Sequence, residues 1–309
     1  MAPETRSWSD AAGTEHVGVL VQSYSGNDVI ECGACGFKHL VPIPTDEELA
    51  AAYESEYYAD EKPHYFDRHR EDLDWWNLAY GDRYDVLEEH LGPDRRRLLD
   101  IGSGPGFFLL HGQERGWEVR GIEPSLQAAE HSRGLGVEVD NAFYSEATAP
   151  GLGTFDAINM AEVLEHIPDP ARFLSLIRDH LSDDGMLCVV VPNDFNPFQT
   201  VLQESMGFEP WWITHHHLNY FDFDSLAALF ERCGFEVVLS EATFPIDLFL
   251  LMGDNYIGND EVGRIAHGRR KTFESNLAGG GRNDLKRDLY RRLSELGLGR
   301  EIILVGRKR

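Results

Sequence analysis

Four groups of residues in this 309-residue chain have the types and spacing that binding or catalysis needs. They are a glycine-rich loop in LLDIGSGPGFFLL, an acidic stretch in AEVLEHIPDP, a CGAC pair near the start, and a histidine triplet in EPWWITHHHLNYF. Glycines let a backbone approach a ligand closely. Carboxylates and imidazoles move protons or bind cations, and paired cysteines bind zinc or do redox chemistry.

The elements that must position these groups alternate between strand and helix patterns from Arg97 to about Ala242. This alternation predicts an α/β fold, in which a parallel sheet carries helices on both faces. Ligands bind outside the carboxyl ends of strands in such a sheet, where the glycine loop and the histidines fall. The strand candidates are RLLDIG, WEVRGIEP, VEVDNA, FDAINM, MLCVVVPN, FEVVLSEA and the terminal EIILVGRKR.

The remaining sequence predicts additions around this core. Residues 1–50 form a small region with short strands and the CGAC pair, and residues 51–92 form an aromatic-rich helical cover. The core comprises residues 93–243 and 300–309. Residues 244–299 form a helical insertion before the last strand.

The composition excludes several partners. A formal net charge of −25 disfavours binding to nucleic acid and to anionic membranes, because a protein binds their phosphates through clustered basic residues. No apolar run approaches the roughly 20 residues that span a bilayer, and the first residues lack an apolar signal core, so we expect a cytoplasmic protein. The insertion also carries a basic cluster in GRIAHGRRK and LKRDLYRRL. This cluster fits an amphipathic helix pair that forms a homodimer contact. The alternative is a lid in which Arg269 or Arg270 binds an anionic acceptor.

The glycine loop has two carboxylates placed for one class of cofactor. Asp100 ends the first strand of the core, where a carboxylate can hold a cationic amine and would repel pyrophosphate. Glu123 ends the second strand and can accept hydrogen bonds from both hydroxyls of a ribose. A cofactor with an ammonium group, a ribose and no phosphate fits this pair. That description matches S-adenosylmethionine.

At these residues the chain resembles the class I S-adenosylmethionine-dependent methyltransferases. LLDIGSGPG is similar to their first motif, and Glu123 matches the acid after their second strand. FDAINMAEVLEHIPDP and HLSDDGMLCVVVPN are similar to their fourth- and fifth-strand motifs. The resemblance implies a Rossmann-like sheet of seven strands, mostly parallel, with an antiparallel last strand. The cofactor-binding residues that it implies are Asp100, Gly102, Ser103, Gly104, Gly106, Glu123, Pro124, Asn159, Met160, Ala161 and Glu162.

The acidic stretch after the fourth strand admits two interpretations. Glu162, Glu165 and His166 have the spacing that shares one face of a helix, so they could hold a divalent cation. Ubiquinone-pathway O-methyltransferases carry a similar Glu-x-x-Glu-His that is linked to metal binding. The same sequence also resembles relatives in which these residues brace the helix. We predict the structural role and no bound metal.

The CGAC pair, Cys32 and Cys35, has the shape of a zinc knuckle, but structural zinc needs four ligands. A second cysteine pair is missing, and the nearby candidates are His16 and His39. The segment resembles the paired knuckles of bacterial sugar and secondary-metabolite methyltransferases. We therefore predict a degenerate knuckle without zinc.

The histidine triplet supplies the candidate base. His217 is the first choice for removing a proton from an acceptor hydroxyl, and His216 is the second. Trp211, Trp212, His215 and Tyr220 are the candidate substrate contacts. The alternative is a polar loop whose histidines form local hydrogen bonds.

The predicted function is therefore methyl transfer from S-adenosylmethionine to a small molecule, most simply at a hydroxyl of a sugar or secondary metabolite. Three alternatives remain. They are N- or C-methylation on the same fold, a nicotinamide-dependent oxidoreductase, and a non-catalytic S-adenosylmethionine-binding protein.

Overall fold

The computed structural model describes residues 3–10, 13–44 and 65–309. Its strands are β1 (Thr5–Ser9), β2 (Glu15–Tyr24), β3 (Asn27–Cys32), β4 (Lys38–Val41), β5 (Arg97–Ile101), β6 (Glu118–Ile122), β7 (Glu138–Asp140), β8 (Phe155–Ala161), β9 (Leu181–Pro192), β10 (Asn219–Tyr220), β11 (Phe235–Ala242) and β12 (Glu301–Lys308). Its α-helices are α1 (Tyr65–Glu71), α2 (Leu73–His90), α3 (Phe107–Glu114), α4 (Leu126–Gly134), α5 (Pro170–Asp179), α6 (Pro197–Met206), α7 (Phe223–Arg232), α8 (Asp247–Leu251), α9 (Asp260–Gly279) and α10 (Asn283–Glu295).

The larger sheet has, within the described ranges, seven strands in the order β11-β12-β9-β8-β5-β6-β7. β5 pairs in parallel with β6 and β8, and β9 continues the parallel set. β12 runs antiparallel between β9 and β11. Leu98, Leu99 and Ile101 of β5 are all buried, as expected for a parallel strand covered on both faces. The predicted fold class is confirmed, with its antiparallel last strand.

The smaller sheet joins the amino-terminal residues to the core. Its order is β1-β2-β3-β4-β10, and β10 comes from the segment after α6. Asn219 pairs with His39 and Tyr220 with Lys38. β10 is not among the strands predicted from the sequence, because a two-residue strand has too little periodicity to be recognised. The histidine triplet is therefore tethered directly to the amino-terminal sheet.

The helical cover and the insertion pack against each other. α1 and α2 lie within the predicted cover, whereas its residues 51–64 lie outside the described residues. α10 packs on β11, and Lys286 of α10 makes a buried ion pair with Asp82 of α2 at 2.6 Å. The Arg270 guanidinium lies 4.8 Å from the centre of the Trp75 ring, and Arg269 pairs with Asp254. These contacts engage Arg269 and Arg270 within the chain.

Gly112 in α3 gives a test of this packing. A Cβ at Gly112 would lie 2.0 Å from the Tyr84 hydroxyl oxygen. Tyr84 is fully buried, and its hydroxyl donates to the Phe108 carbonyl at 3.2 Å, so it has little room to move. We expect Gly112→Ala to lower the free energy of unfolding by about 1–3 kcal/mol, despite the better helix propensity of alanine. Urea denaturation measures the change.

The matched control is Gly134→Ala at the end of α4, where a Cβ would meet no atom within 4 Å. This variant should unfold at the wild-type urea concentration or slightly above it. Equal stability of the two variants would contradict the close packing of α3 against Tyr84.

Candidate active site

The glycine loop lies between β5 and α3 at the carboxyl edge of the larger sheet. The Gly102 N–H donates to the Ile122 carbonyl at 2.8 Å, which holds the loop against the end of β6. Gly104 has a φ of +52°, and a Cβ there would meet no atom within 4 Å. At Gly106, by contrast, a Cβ would lie 2.6 Å from Ser132 Oγ. The open backbone at Gly104 is therefore a surface that a ligand can approach closely.

Glu123 joins the loop after β5 to the turn after β6. Its side chain is buried, with Oε2 accepting from the Gly104 N–H at 2.9 Å and Oε1 accepting from the Ser125 N–H at 2.8 Å. Each carboxylate oxygen has a second lone pair. The carboxylate thus orients the glycine loop and lies beside the open backbone at Gly104.

Asp100 sits in a buried polar network at the end of β5. Asn159 Nδ2 donates to Asp100 Oδ1 at 2.6 Å, and Arg83 Nη1 donates to Asn159 Oδ1 at 3.3 Å. Burial raises the pKa of Asp100 to about 7, although the Asn159 hydrogen bond and the Arg83 charge lower it. Sequence reasoning missed Arg83. The feature of the sequence that could have indicated it is that Arg83 is a single arginine among the aromatic residues of α2.

The other predicted cofactor residues surround this network unevenly. Met160 is fully buried in the core, and Ser103 is buried under the glycine loop. Ala161 and Pro124 are half-buried at the ends of their strands. Met160 and Ser103 therefore offer a ligand backbone contacts at most.

The segment after β8 corrects one prediction. Glu162, Glu165 and His166 do not share a helix face, because the backbone turns at Glu162 with a φ of +55° and then forms a 3₁₀ turn over Leu164–His166. Pro168 follows two residues later and disfavours an α-helix there. Glu162 is exposed, whereas Glu165 is buried.

This same segment touches the glycine loop. A Cβ at Gly102 would lie 2.6 Å from Val163 Cγ2. The turn that carries Glu165 and His166 is therefore packed beside the loop that carries Gly104.

The residue that lies near Glu165 and His166 as a third possible metal ligand is His217, and not Glu162 as the sequence spacing suggested. One ligand atom from each of the three lies within 4.8 Å of the others. The His166 Nδ1–H donates to the His216 carbonyl at 2.7 Å, which leaves Nε2 to face Glu165 at 3.8 Å. Burial, and then the charge of Glu162, holds the pKa of Glu165 well above its usual range. An imidazole pair with one carboxylate could hold a divalent cation, and a cation would ionise this carboxyl.

His217 also faces a second carboxylate, which sequence reasoning missed. His217 Nδ1 lies 3.8 Å from Asp194 Oδ2. Asp194 is held by Gln199 Nε2 and Arg300 Nη1, each at 3.3 Å. Burial lowers the pKa of Arg300, but the charges of Asp194 and neighbouring carboxylates outweigh it, so the pKa lies above the usual range. The signal for Asp194 was its place two residues after the end of β9, at the carboxyl edge of a parallel sheet.

The candidate substrate contacts fall into two groups. Trp212 and Tyr220 are buried in a cluster with residues of the amino-terminal sheet, so packing is their role in this structure. Trp211 is half-buried and His215 is exposed, so both present surface to a ligand. The His216 ring lies 3.7 Å from that of His215, and its carbonyl is the acceptor for His166.

Comparisons with known proteins give a family-model match, partial matches to curated relatives and a likeness in fold. A family model described as a methyltransferase domain matches residues 67–240. The ubiquinone biosynthesis O-methyltransferase of Alkalilimnicola ehrlichii is 39% identical over 97 residues, which cover 29% of this chain and 39% of that protein. The protein of the same name from Azotobacter vinelandii is 36% identical over 114 residues, covering 34% and 48%. The chain thus spans less than half the length of these curated relatives.

A solved structure matches over most of both chains. The plantazolicin methyltransferase BpumL, in complex with a monoazolic desmethylPZN analog and SAH, aligns with a TM-score of 0.51 at 13% identity. The alignment covers 85% of this chain and 94% of that one, which supports the fold. The described part of the chain contains no helix long and apolar enough to cross a membrane.

Proposed function

The chain belongs to the class I S-adenosylmethionine-dependent methyltransferases, and we propose that it methylates a hydroxyl oxygen of a small molecule. The observation that carries this proposal is the pair formed by His217 and Asp194 at the carboxyl edge of the sheet, 3.8 Å apart. That edge is also where the glycine loop, Asp100 and Glu123 lie.

The residues around the glycine loop fit S-adenosylmethionine. Open backbone at Gly104 can accept an adenosine ribose beside Glu123, and Asp100 supplies a negative charge for an ammonium group. The Asp100 carboxylate beside the glycine loop would repel the pyrophosphate of a nicotinamide dinucleotide, so it argues against an oxidoreductase. When bound, the cofactor supplies a methyl group that its sulfonium already activates.

The protein then has to position the acceptor and remove its proton. His217 is suited to take that proton, because a neutral imidazole is a base near neutral pH. Asp194 can stabilise the imidazolium that forms, since Gln199 and Arg300 hold its carboxylate facing His217. The arrangement is that of a base with a carboxylate beside it.

The acceptor is proposed to be a small molecule with a hydroxyl group, of the sugar or secondary-metabolite kind. The relatives named as O-methyltransferases favour oxygen over nitrogen or carbon as the methylated atom. Exposed His215 and half-buried Trp211 are proposed as acceptor contacts.

A direct test uses the full chain with S-adenosylmethionine that is isotopically labelled in its methyl group. The panel of acceptors contains sugars, phenols, aliphatic alcohols and amines, and product masses identify the methylated compound. Transfer to hydroxyl compounds supports the proposal. Transfer confined to amines would replace O-methylation by N-methylation, and tight NADH binding without methyl transfer would overturn the methyltransferase function.

The affinity for S-adenosylhomocysteine should depend on pH through Asp100. Its pKa of about 7 means that the carboxyl is mostly protonated below neutrality, and the ligand's ammonium group favours the ionised form. Affinity should therefore rise by up to about tenfold per unit from about pH 6 to about pH 7, and level off near pH 8. Calorimetric titration across this range measures it.

The control for this pH dependence is Asp100→Asn, which keeps the shape of the side chain but cannot ionise. Its affinity should be weaker than that of the wild type above neutrality and flat with pH. A flat wild-type profile would mean that Asp100 does not face the ammonium group.

A further inference from the structure

Four metal-ligating side chains come together in the smaller sheet, away from the glycine loop. His16 lies on β2, Cys32 ends β3, Cys35 lies in the turn that follows, and His39 lies on β4. One ligand atom from each lies within 4.8 Å of all the others. We propose that these four residues bind a structural zinc ion. The second ligand pair, missing from the sequence pattern as cysteines, is supplied by two histidines.

The distances from His16 Nδ1 to the other three ligand atoms match a tetrahedral zinc site. With Zn–S near 2.3 Å and Zn–N near 2.0–2.1 Å, a tetrahedron separates sulfur from nitrogen by about 3.5 Å and two nitrogens by about 3.3 Å. His16 Nδ1 lies 3.3 Å from Cys35 Sγ and 3.7 Å from Cys32 Sγ. It lies 3.3 Å from His39 Nε2.

Hydrogen bonding alone does not explain this convergence. The single nitrogen His16 Nδ1 faces two sulfurs and the Nε2 of His39, but it can form one good hydrogen bond as donor or acceptor. His39 and Cys32 are fully buried, so unsatisfied polar atoms there are costly. Both cysteines are free thiols rather than a disulfide. A cation shared by the four groups would satisfy all of them.

The surrounding groups orient the two imidazoles for metal binding. The His39 Nδ1–H donates to the Leu40 carbonyl at 2.7 Å, which leaves Nε2 free of its proton and facing the cluster. On the other histidine, His16 Nε2 lies 3.6 Å from Asp10 Oδ2, so Nδ1 faces the cluster. A carbonyl or carboxylate behind each ligating histidine is the usual support of a zinc site.

The site is linked to the segment that carries the candidate base. His39 pairs with Asn219, two residues after His217. Arg232 Nη2 donates to the Cys35 carbonyl at 2.6 Å, and the Phe37 ring lies 5.0 Å from that of Phe221. Zinc here would fix the turn after β3 against α7 and β10. Its role is therefore to brace the amino-terminal sheet against the core.

The test is the zinc content of the full chain, purified without chelator and measured by plasma mass spectrometry. We expect one zinc per chain in the wild type and a loss of it in Cys35→Ser. Cys233→Ser is the matched control, because that thiol lies outside the cluster, and it should keep its zinc. His166→Ala should also keep its zinc. If His166→Ala instead loses the zinc and Cys35→Ser keeps it, the metal lies at Glu165, His166 and His217, and the proposal is overturned.

A second measurement does not depend on the variant folding. Chain refolded with Co²⁺ should show intense visible bands and a sulfur-to-cobalt charge-transfer band, which report tetrahedral thiolate ligation. Absence of these bands, or wild-type protein without stoichiometric zinc, would overturn the proposal. Neither readout uses methyl transfer, so a failure of the zinc proposal can be distinguished from a failure of the proposed function.

Discussion

Replacing His217 by alanine is expected to lower kcat by about 10²–10⁴-fold and to leave the affinity for S-adenosylhomocysteine unchanged. Alanine cannot accept the hydroxyl proton, whereas the residues proposed to bind the cofactor, Asp100 and Glu123, stay in place. The measurement combines steady-state kinetics with calorimetric titration. A loss confined to kcat identifies an interaction made in the transition state.

The matched control is His180→Ala. His180 directly precedes β9, at the opposite edge of the sheet, and its Nδ1–H donates to the Leu176 carbonyl at 3.0 Å. Its variant should keep kcat within a few fold of the wild type. Wild-type kcat in His217→Ala at neutral and mildly acidic pH would show that His217 is not the base.

Asp194→Asn separates the two roles that the geometry allows for His217. If Asp194 stabilises the imidazolium, this variant should lower kcat, because the imidazolium that forms then lacks a negative neighbour. If His217 instead holds a cation with Glu165 and His166, His166→Ala should cost as much activity as His217→Ala. Added Mg²⁺ or Mn²⁺ should then raise the wild-type rate.

Replacing Glu123 by glutamine should weaken the binding of S-adenosylhomocysteine by about 10–100-fold, which corresponds to one charged hydrogen bond of about 1.5–3 kcal/mol. The carboxylate now accepts from the N–H groups of Gly104 and Ser125. The amide oxygen of glutamine can accept one of these bonds but its nitrogen cannot accept the other, so the variant loses one backbone hydrogen bond and the negatively charged acceptor for a ribose diol. Calorimetric titration measures the change.

Glu118→Gln serves as the control at the start of β6, the strand that Glu123 follows. Glu118 begins β6 at the opposite edge of the sheet, where its side chain is exposed and pairs with Arg97 at 3.2 Å. Because an exposed ion pair contributes little, this variant should bind the ligand as the wild type does. Equal affinity in Glu123→Gln would place the ribose elsewhere.

The strands of the larger sheet could be predicted from the sequence because each of them has a recognisable apolar pattern. Apolar runs such as LCVVV and IILV are too continuous for a half-exposed strand, and each is bounded by charged or turn residues. The glycine loop was equally visible, since positive φ at Gly102, Gly104 and Gly106 favours one residue type. The strand order was known only through the family resemblance.

The stretch from Glu162 to His166 shows where local reasoning fails. Its spacing is that of a helix face, but the backbone must leave β8 and turn against the glycine loop within a few residues. Packing of Val163 on Gly102 and the positive φ at Glu162 decide that path. Neither is encoded in the spacing of acidic residues.

The sequence by itself determined the fold class, the glycine loop with Asp100 and Glu123, and the segment that carries His217, because these depend on neighbours within one βα unit. The tertiary structure decided which distant side chains meet them. Asp194 faces His217, Arg83 reaches Asn159, and His16 and His39 complete the cysteine pair. Each of these contacts joins residues far apart in the chain, and only the packing of sheets and helices brings such residues together.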